Sequence, residues 1–172
     1  MRLSLLPLVA LAGSAFASGD SISTAIDSIS NATLALNHTI ATWPQTLLGA
    51  LPITTKSTLL ALEIHKGTVI ARESGPLSLD ETLQVAKATS ELSSDVELTI
   101  NTIIATKPNF DRLQISPVIL LNLELQRGLS ADFSAAVIEK VPKELQGNAK
   151  QLVAGIDASF ARAIKKFSKL RG

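Results

Sequence analysis

The side chains that could do chemistry in this sequence are few. Its two histidines are His38 and His65. His38 lies inside the sequon Asn37-His38-Thr39, and His65 follows Glu63-Ile64 with no second imidazole at metal-ligand spacing. No H-E-x-x-H, G-x-S-x-G or phosphate-loop pattern occurs. The chain has no cysteine, which excludes thiolate nucleophiles, thiolate metal sites and disulfides. The acidic pairs Asp80/Glu81 and Asp95/Glu97 could approach as a two-carboxylate site, but a helix N-terminus and a solvated helix face account for them. The expectation is therefore a non-enzyme with no catalytic residue, no metal and no cofactor. Tyrosine is absent, and Trp43 with five phenylalanines makes up the aromatic content, so platforms for stacking bases or sugars are scarce. Aliphatic side chains dominate, and they suit aliphatic partners.

Covalent modification is the other chemistry on offer. Asn31-Ala32-Thr33 and Asn37-His38-Thr39 are glycosylation candidates. Both fall on the first predicted helix, where Ile22, Ile26, Ile29, Thr33, Leu36, Ile40 and Trp43 step by fours and threes along one seam. Asn31 lies about 180° from that seam, and Asn37 lies nearer its flank. Asn31 is the better acceptor.

The elements that carry these residues read as helices nearly throughout. Pro44 disfavours continuation of the first helix. A second helical region runs from about Leu47 to Ile70, with a kink or break expected at Pro52 and a weak point at Gly67. Gly75-Pro76 marks the next break. Ser78-Leu79-Asp80-Glu81 reads as a capping box opening a third helix with Val85, Leu92, Val96, Ile100 and Ile103 on its apolar face. Lys107-Pro108 is expected to close it. Ser116-Pro117 reads as N-cap and first-turn proline of a fourth helix reaching about Lys140. After Val141-Pro142, a fifth carries Leu145, Ala149, Leu152, Ile156, Phe160, Ala163, Phe167 and Leu170. No segment alternates with period two over strand length. The fold class is all-α, an antiparallel bundle of about five helices.

The fourth helix departs from an amphipathic pattern. At about 100° per residue, Val118, Leu121, Leu125 and Leu129 share one face, whereas Ile119, Leu120 and Leu123 point roughly opposite. A helix apolar all round is buried among its neighbours or touches something apolar, because each such side chain removed from water is worth roughly 1.5–3 kcal/mol. A central core helix, the wall of a lipid-sized cavity and an adsorbing surface all satisfy this. Ile119, Leu120 and Leu123 are the candidates for apolar or lipid contact.

The N-terminus sets the expected compartment. Arg2, an apolar run over residues 3–12 and an A-x-A site at Ala15-Phe16-Ala17 predict a secretory signal over residues 1–17. The run is shorter than the about 20 residues a bilayer span needs. Residues 18–172 then form one domain with fifteen basic and fifteen acidic side chains, and neutrality gives no case for nucleic acid as partner. Charge is uneven, with four basic and nine acidic groups over 18–106 against eleven and six over 107–172. From Ala161 the tail carries Arg162, Lys165, Lys166, Lys169 and Arg171 without an acid, which suits either the helix dipole or anionic headgroups.

Lys107-Pro108-Asn109-Phe110-Asp111 before one helix, and Ile138-Glu139-Lys140-Val141-Pro142 before the last, complete a pattern within a cysteine-free, Ala/Leu/Ser-rich helical chain. From Ile22 to Phe167 this resembles the fungal hydrophobic surface-binding protein A family, which is related to the cell-wall galactomannoproteins. The resemblance implies an extracellular bundle that adsorbs to hydrophobic surfaces. In the galactomannoprotein branch it implies fatty-acid binding between helices. It carries no catalytic motif. The galactomannoproteins commonly continue into a Ser/Thr-rich region, whereas this sequence stops at Gly172, which weakens the expectation of wall anchorage but leaves a secreted, extracellular protein in association with the cell wall open. The expected function is thus a secreted, non-enzymatic protein that binds hydrophobic surfaces, lipids or fatty acids. The alternatives are an enzyme-inhibitor-type bundle partnered by a secreted hydrolase, and a structural glycoprotein partnered by a cell-wall component. The inhibitor reading is weakened by the missing disulfides on which the similar plant bundles depend.

Overall fold

The computed structural model describes residues 18–169, and the expected secretory signal over residues 1–17 lies outside them. Five long helices carry the chain: α1 Ser18–Ala41, α2 Leu51–Glu73, α3 Leu79–Arg112, α4 Ser116–Ile138 and α5 Gln146–Ser168. Short 3-10 turns, Leu48–Ala50 and Lys143–Leu145, precede α2 and α5. No strand occurs among the described residues.

The seams of α1 and α3 are those that the hydrophobic spacing predicts, while Leu170 of the predicted fifth seam lies outside the described residues. Ile22, Ile26, Ile29, Thr33, Leu36 and Ile40 are buried on α1, and Val85, Leu92, Val96, Ile100 and Ile103 on α3. Pro52 sits in the first turn of α2, where its missing N–H costs nothing, so it starts that helix and does not kink it. Gly67 leaves α2 continuous. A Cβ there would lie 3.1 Å from both Ile29 Cδ1 and Phe133 Cε2, so glycine lets three helices approach.

Two boundaries differ from expectation. The third helix does not close at Lys107-Pro108; it runs through Pro108 to Arg112. An internal proline removes one helix bond and costs about 3 kcal/mol or more. What offsets it is Phe110, fully buried, stacked on Trp43 at 5.0 Å and tilted against Phe167 at 6.3 Å. Ser116 is the first residue of α4, not its N-cap, which is Ile115; the Ser116 hydroxyl donates to Asp111 Oδ1 at 2.6 Å.

Successive helices run in opposite directions, and their packing closes a ring in the order α1, α2, α4, α5, α3. Closure sets α1 beside α3, α2 beside α4 and α3 beside α5, pairs that run the same way. Their matched contacts show it: Gly19 to Glu81 and Thr33 to Thr99 join α1 to α3, while Ser57 to Asn122 and Lys140 to Arg72 join α2 to the α4 segment. Neighbouring helices pack about 8–10 Å apart. A ring of five therefore leaves a centre that side chains must either fill or enclose.

One end of the ring is pinned by the predicted capping box. Ser78 Oγ accepts from the Glu81 N–H at 3.3 Å, and Glu81 Oε2 accepts from the Ser78 N–H at 2.8 Å. Glu81 Oε1 also accepts from the Gly19 N–H at 2.9 Å, tying the start of α1 to the start of α3. A side chain at residue 19 would collide, since its Cβ would lie 2.6 Å from Glu81 Cβ. The bond from Gly19, followed by those from Ser78, holds the Glu81 carboxyl down to about 2 from an ordinary 4.5. The folded state thus binds this proton less readily than the unfolded chain, so the contribution is present above about 4.5 and is lost as pH falls towards about 2. Glu81→Gln should consequently have a lower urea midpoint than wild type at neutral pH, with the gap closing across that acid window. A gap of constant size down to pH 2 would refute the assignment.

A candidate apolar binding cavity

The centre of the ring is not filled. A cavity of about 360 Å³ lies between the helices, and every helix contributes to its wall. Val85, Leu92, Val96 and Ile100 face it from α3, Phe133 and Val137 from α4, and Leu152, Ile156 and Phe160 from α5. Ile29 and Ile64 line it from α1 and α2. None of its described lining residues is charged.

The polar residues in the wall are largely committed. Thr33, Thr82, Thr89 and Thr99 donate their hydroxyls to the carbonyls four residues back, at 2.7–2.8 Å. Each therefore needs no further acceptor, which leaves Ser130, Ser134, Asn148 and Gln126 as the other polar residues of an otherwise apolar wall. Gln126 is the exception in size. It is buried, its Nε2 donates to Ser57 Oγ at 2.8 Å, and Ser57 Oγ donates to Asn122 Oδ1 at 3.1 Å. Asn122 Nδ2 in turn donates to Val118 O at 2.9 Å.

Gln126 and Ile103 line both the main cavity and a second, much smaller one of about 30 Å³. This smaller space lies towards the end closed by Trp43, Phe110 and Phe167. Ile119 and Leu123 line it, with Leu123 buried and Ile119 half-buried. Leu120 packs half-buried against the core. None of these three sequence candidates lines the large cavity. The opposite face of α4 is the exposed one, with Val118, Leu121 and Leu125 open to solvent. The missed lining residues Phe133 and Val137 lie further along α4. Their signal was available, since Gln126, Phe133 and Val137 continue the stripe of Leu123 by steps of three, seven and four.

α5 covers the cavity unevenly. Ile156, Phe160, Ala163 and Phe167 are buried, whereas Leu145 in the preceding turn and Ala149, Leu152 and Val153 are only half-buried. Beside this looser half, a groove of about 450 Å³ runs along the α4–α5 seam and shares Ser130, Ser134, Ile138, Val153, Ile156 and Phe160 with the cavity wall. Across the groove, Arg127 Nε and Nη2 donate to Asp157 Oδ1 and Oδ2 at 2.6 and 2.9 Å. The bond from Arg127 lowers the Asp157 carboxyl below its usual range. Among the described residues no cluster of three or more His, Cys, Asp or Glu could hold a metal, and no helix is long and apolar enough to cross a membrane.

The two sequons are placed differently. Asn31 is exposed on α1, while Asn37 is half-buried and its Oδ1 is buried without a partner. If the chain is expressed through a glycosylating secretory route, peptide mapping after enzymatic deglycosylation should mark Asn31 in excess of Asn37. A mark on Asn37 alone would contradict this.

A ring of helices around a cavity with no charged residue among its described lining defines the class of protein, an all-α bundle with a largely apolar centre. The sequence matches the family described as hydrophobic surface binding protein A over residues 19–139, and the chain belongs to that family. It is 27% identical over 175 residues to cell wall mannoprotein 1 of Aspergillus flavus, across 97% of this chain and 63% of the relative. The chain thus spans less than two thirds of that protein's length. Its fold is similar to that of AFMP4P solved in complex with palmitic acid, at TM-score 0.84 and 23% identity over 87% of this chain and 99% of the other. It is also similar to ligand binding domain 2 of the Penicillium marneffei MP1 protein in complex with arachidonic acids, at TM-score 0.80 and 25% identity over 87% and 93%.

Proposed function

We propose that this protein is a secreted, non-enzymatic lipid-binding protein that holds a fatty acid in its central cavity. The observation that carries the reading is the cavity itself: about 360 Å³, lined by all five helices, with no charged residue among its described lining. Small-molecule sites commonly occupy about 300–1,000 Å³ and are mostly apolar. Water gains little in such a space, whereas an acyl chain removes its own surface and that of the wall from solvent. The fatty acids held by the structurally similar AFMP4P and MP1 domains support the choice of ligand. The family and the mannoprotein relative support an extracellular, wall-associated setting. Organic extraction of the purified protein followed by mass spectrometry should release fatty acid in stoichiometric amount. An extract free of lipid, together with no uptake of added palmitic acid, would sink the proposal.

A second reading, adsorption to apolar surfaces, is favoured by a separate observation. Leu48 is 82% exposed and Leu121 66% exposed, beside exposed Leu47, Leu51 and Val118 at the ring end where α2 and α4 begin. Surface adsorption predicts loss of binding to polystyrene beads on replacing Leu48 and Leu121 with serine, with fatty-acid uptake unchanged.

A further inference from the structure

The fatty-acid reading leaves open where the charged end of the ligand goes. A carboxylate placed inside the main cavity would meet no cation, since no charged residue is among the described lining. Burying an unpaired carboxylate is strongly unfavourable. The adjoining α4–α5 groove is different. Its wall includes Arg127 and Lys150, together with the acids Glu139 and Asp157. It also shares six wall residues with the cavity, including Ser130, Ser134 and Val153. The two spaces therefore adjoin across a single layer of shared side chains, close enough for a chain held in the cavity to direct its end to the groove.

We infer that the α4–α5 groove is the headgroup site of this cavity, with Arg127 and Lys150 taking the carboxylate of a fatty acid whose chain is buried between the helices. The inference rests on the fatty-acid reading. In the structure Asp157 occupies the Arg127 guanidinium through two bonds, at 2.6 and 2.9 Å. It stands where a ligand carboxylate would bind and matches its bidentate geometry. Binding is then an exchange: the ligand carboxylate displaces Asp157, which turns to solvent. That exchange is feasible because the Arg127 and Asp157 side chains are 41% and 55% exposed, and exposed ion pairs are weak. Lys150 is exposed and without a salt-bridge partner among the described residues.

The assignment makes opposite predictions for the two halves of one ion pair. Palmitic acid and its methyl ester are titrated into lipid-stripped protein, for wild type, Asp157→Asn and Arg127→Gln/Lys150→Gln. Removing the competitor in Asp157→Asn should tighten palmitic acid several-fold. Removing the cations should weaken it about tenfold, the size expected of a charge-assisted contact. Methyl palmitate, which shares the chain but has no charge, should bind all three proteins alike. Raising the salt concentration should weaken the acid and not the ester. If the ion pair merely clamps the α4–α5 seam, both variants will shift acid and ester in the same direction, and that result overturns the assignment. Acid affinity unchanged in both variants, with ester binding intact, also overturns it while leaving the cavity reading in place. Failure of wild type to bind either ligand would instead sink the fatty-acid reading and this assignment with it.

Discussion

Replacing Thr89 with phenylalanine should abolish fatty-acid uptake while leaving the bundle folded. Thr89 faces the main cavity from the first third of α3, and its hydroxyl is satisfied within its own helix by Val85 O at 2.8 Å. Its loss therefore strands no buried partner, since the Val85 carbonyl keeps its helical role. An aromatic ring at this position projects into space that is otherwise unfilled. Overpacking a dense core costs about 1–3 kcal/mol, but here the ring enters a cavity of about 360 Å³, so little of that cost should arise. The expected result is a thermal midpoint equal to or above wild type, with affinity for palmitic acid reduced by more than about tenfold, or roughly 1.4 kcal/mol. The measurements are a melt and displacement of a fluorescent fatty acid. Full uptake by a folded Thr89→Phe protein would show that the acyl chain does not occupy the central cavity.

Phe110→Ala should produce the largest loss of stability of any single change considered. Phe110 is fully buried and sits between Trp43 and Phe167. It thereby joins the ends of α1, α3 and α5. Truncating a buried phenylalanine costs about 3–5 kcal/mol, and aromatic pairs add roughly 0.5–1.5 kcal/mol beyond burial. Measured against the about 5–15 kcal/mol total of a typical domain, a drop of this size should be plain in a urea titration. Phe110 also offsets the cost of Pro108, so helix content should fall near the end of α3. Hydrogen exchange at residues 109–113 would report it. A change below about 1 kcal/mol would mean that the closed end of the ring is held by something other than this stack.

Much of the fold was legible because hydrophobic side chains at spacings of three and four report which face of a helix is dry. The α1 and α3 seams followed directly from that periodicity, as did the capping box at Ser78 and Glu81. Local rules failed where distant contacts outweighed them. Pro108 reads as a helix end because proline lacks a donor, yet the burial of Phe110 two residues later carries α3 through it. The binding site was less legible still. The all-round apolar start of α4 drew attention to Ile119, Leu120 and Leu123. They lie on the core side, and the large cavity begins beyond them at Gln126. An apolar residue lining a cavity and one filling a core have the same side chain, and only their neighbours differ.

By itself the sequence determined that this chain is helical, that its first, third and fifth helices carry apolar seams, and that it lacks cysteine chemistry and recognisable catalytic motifs. These follow from residue type and short-range spacing, which act within one or two helical turns. Only the tertiary structure decided that the helices close a ring with α1 beside α3, α2 beside α4 and α3 beside α5. It alone decided that the centre of that ring stays open, and that Arg127 and Asp157 meet across a groove next to it. Those features depend on pairs thirty to nearly seventy residues apart, and no local periodicity encodes which seam faces which.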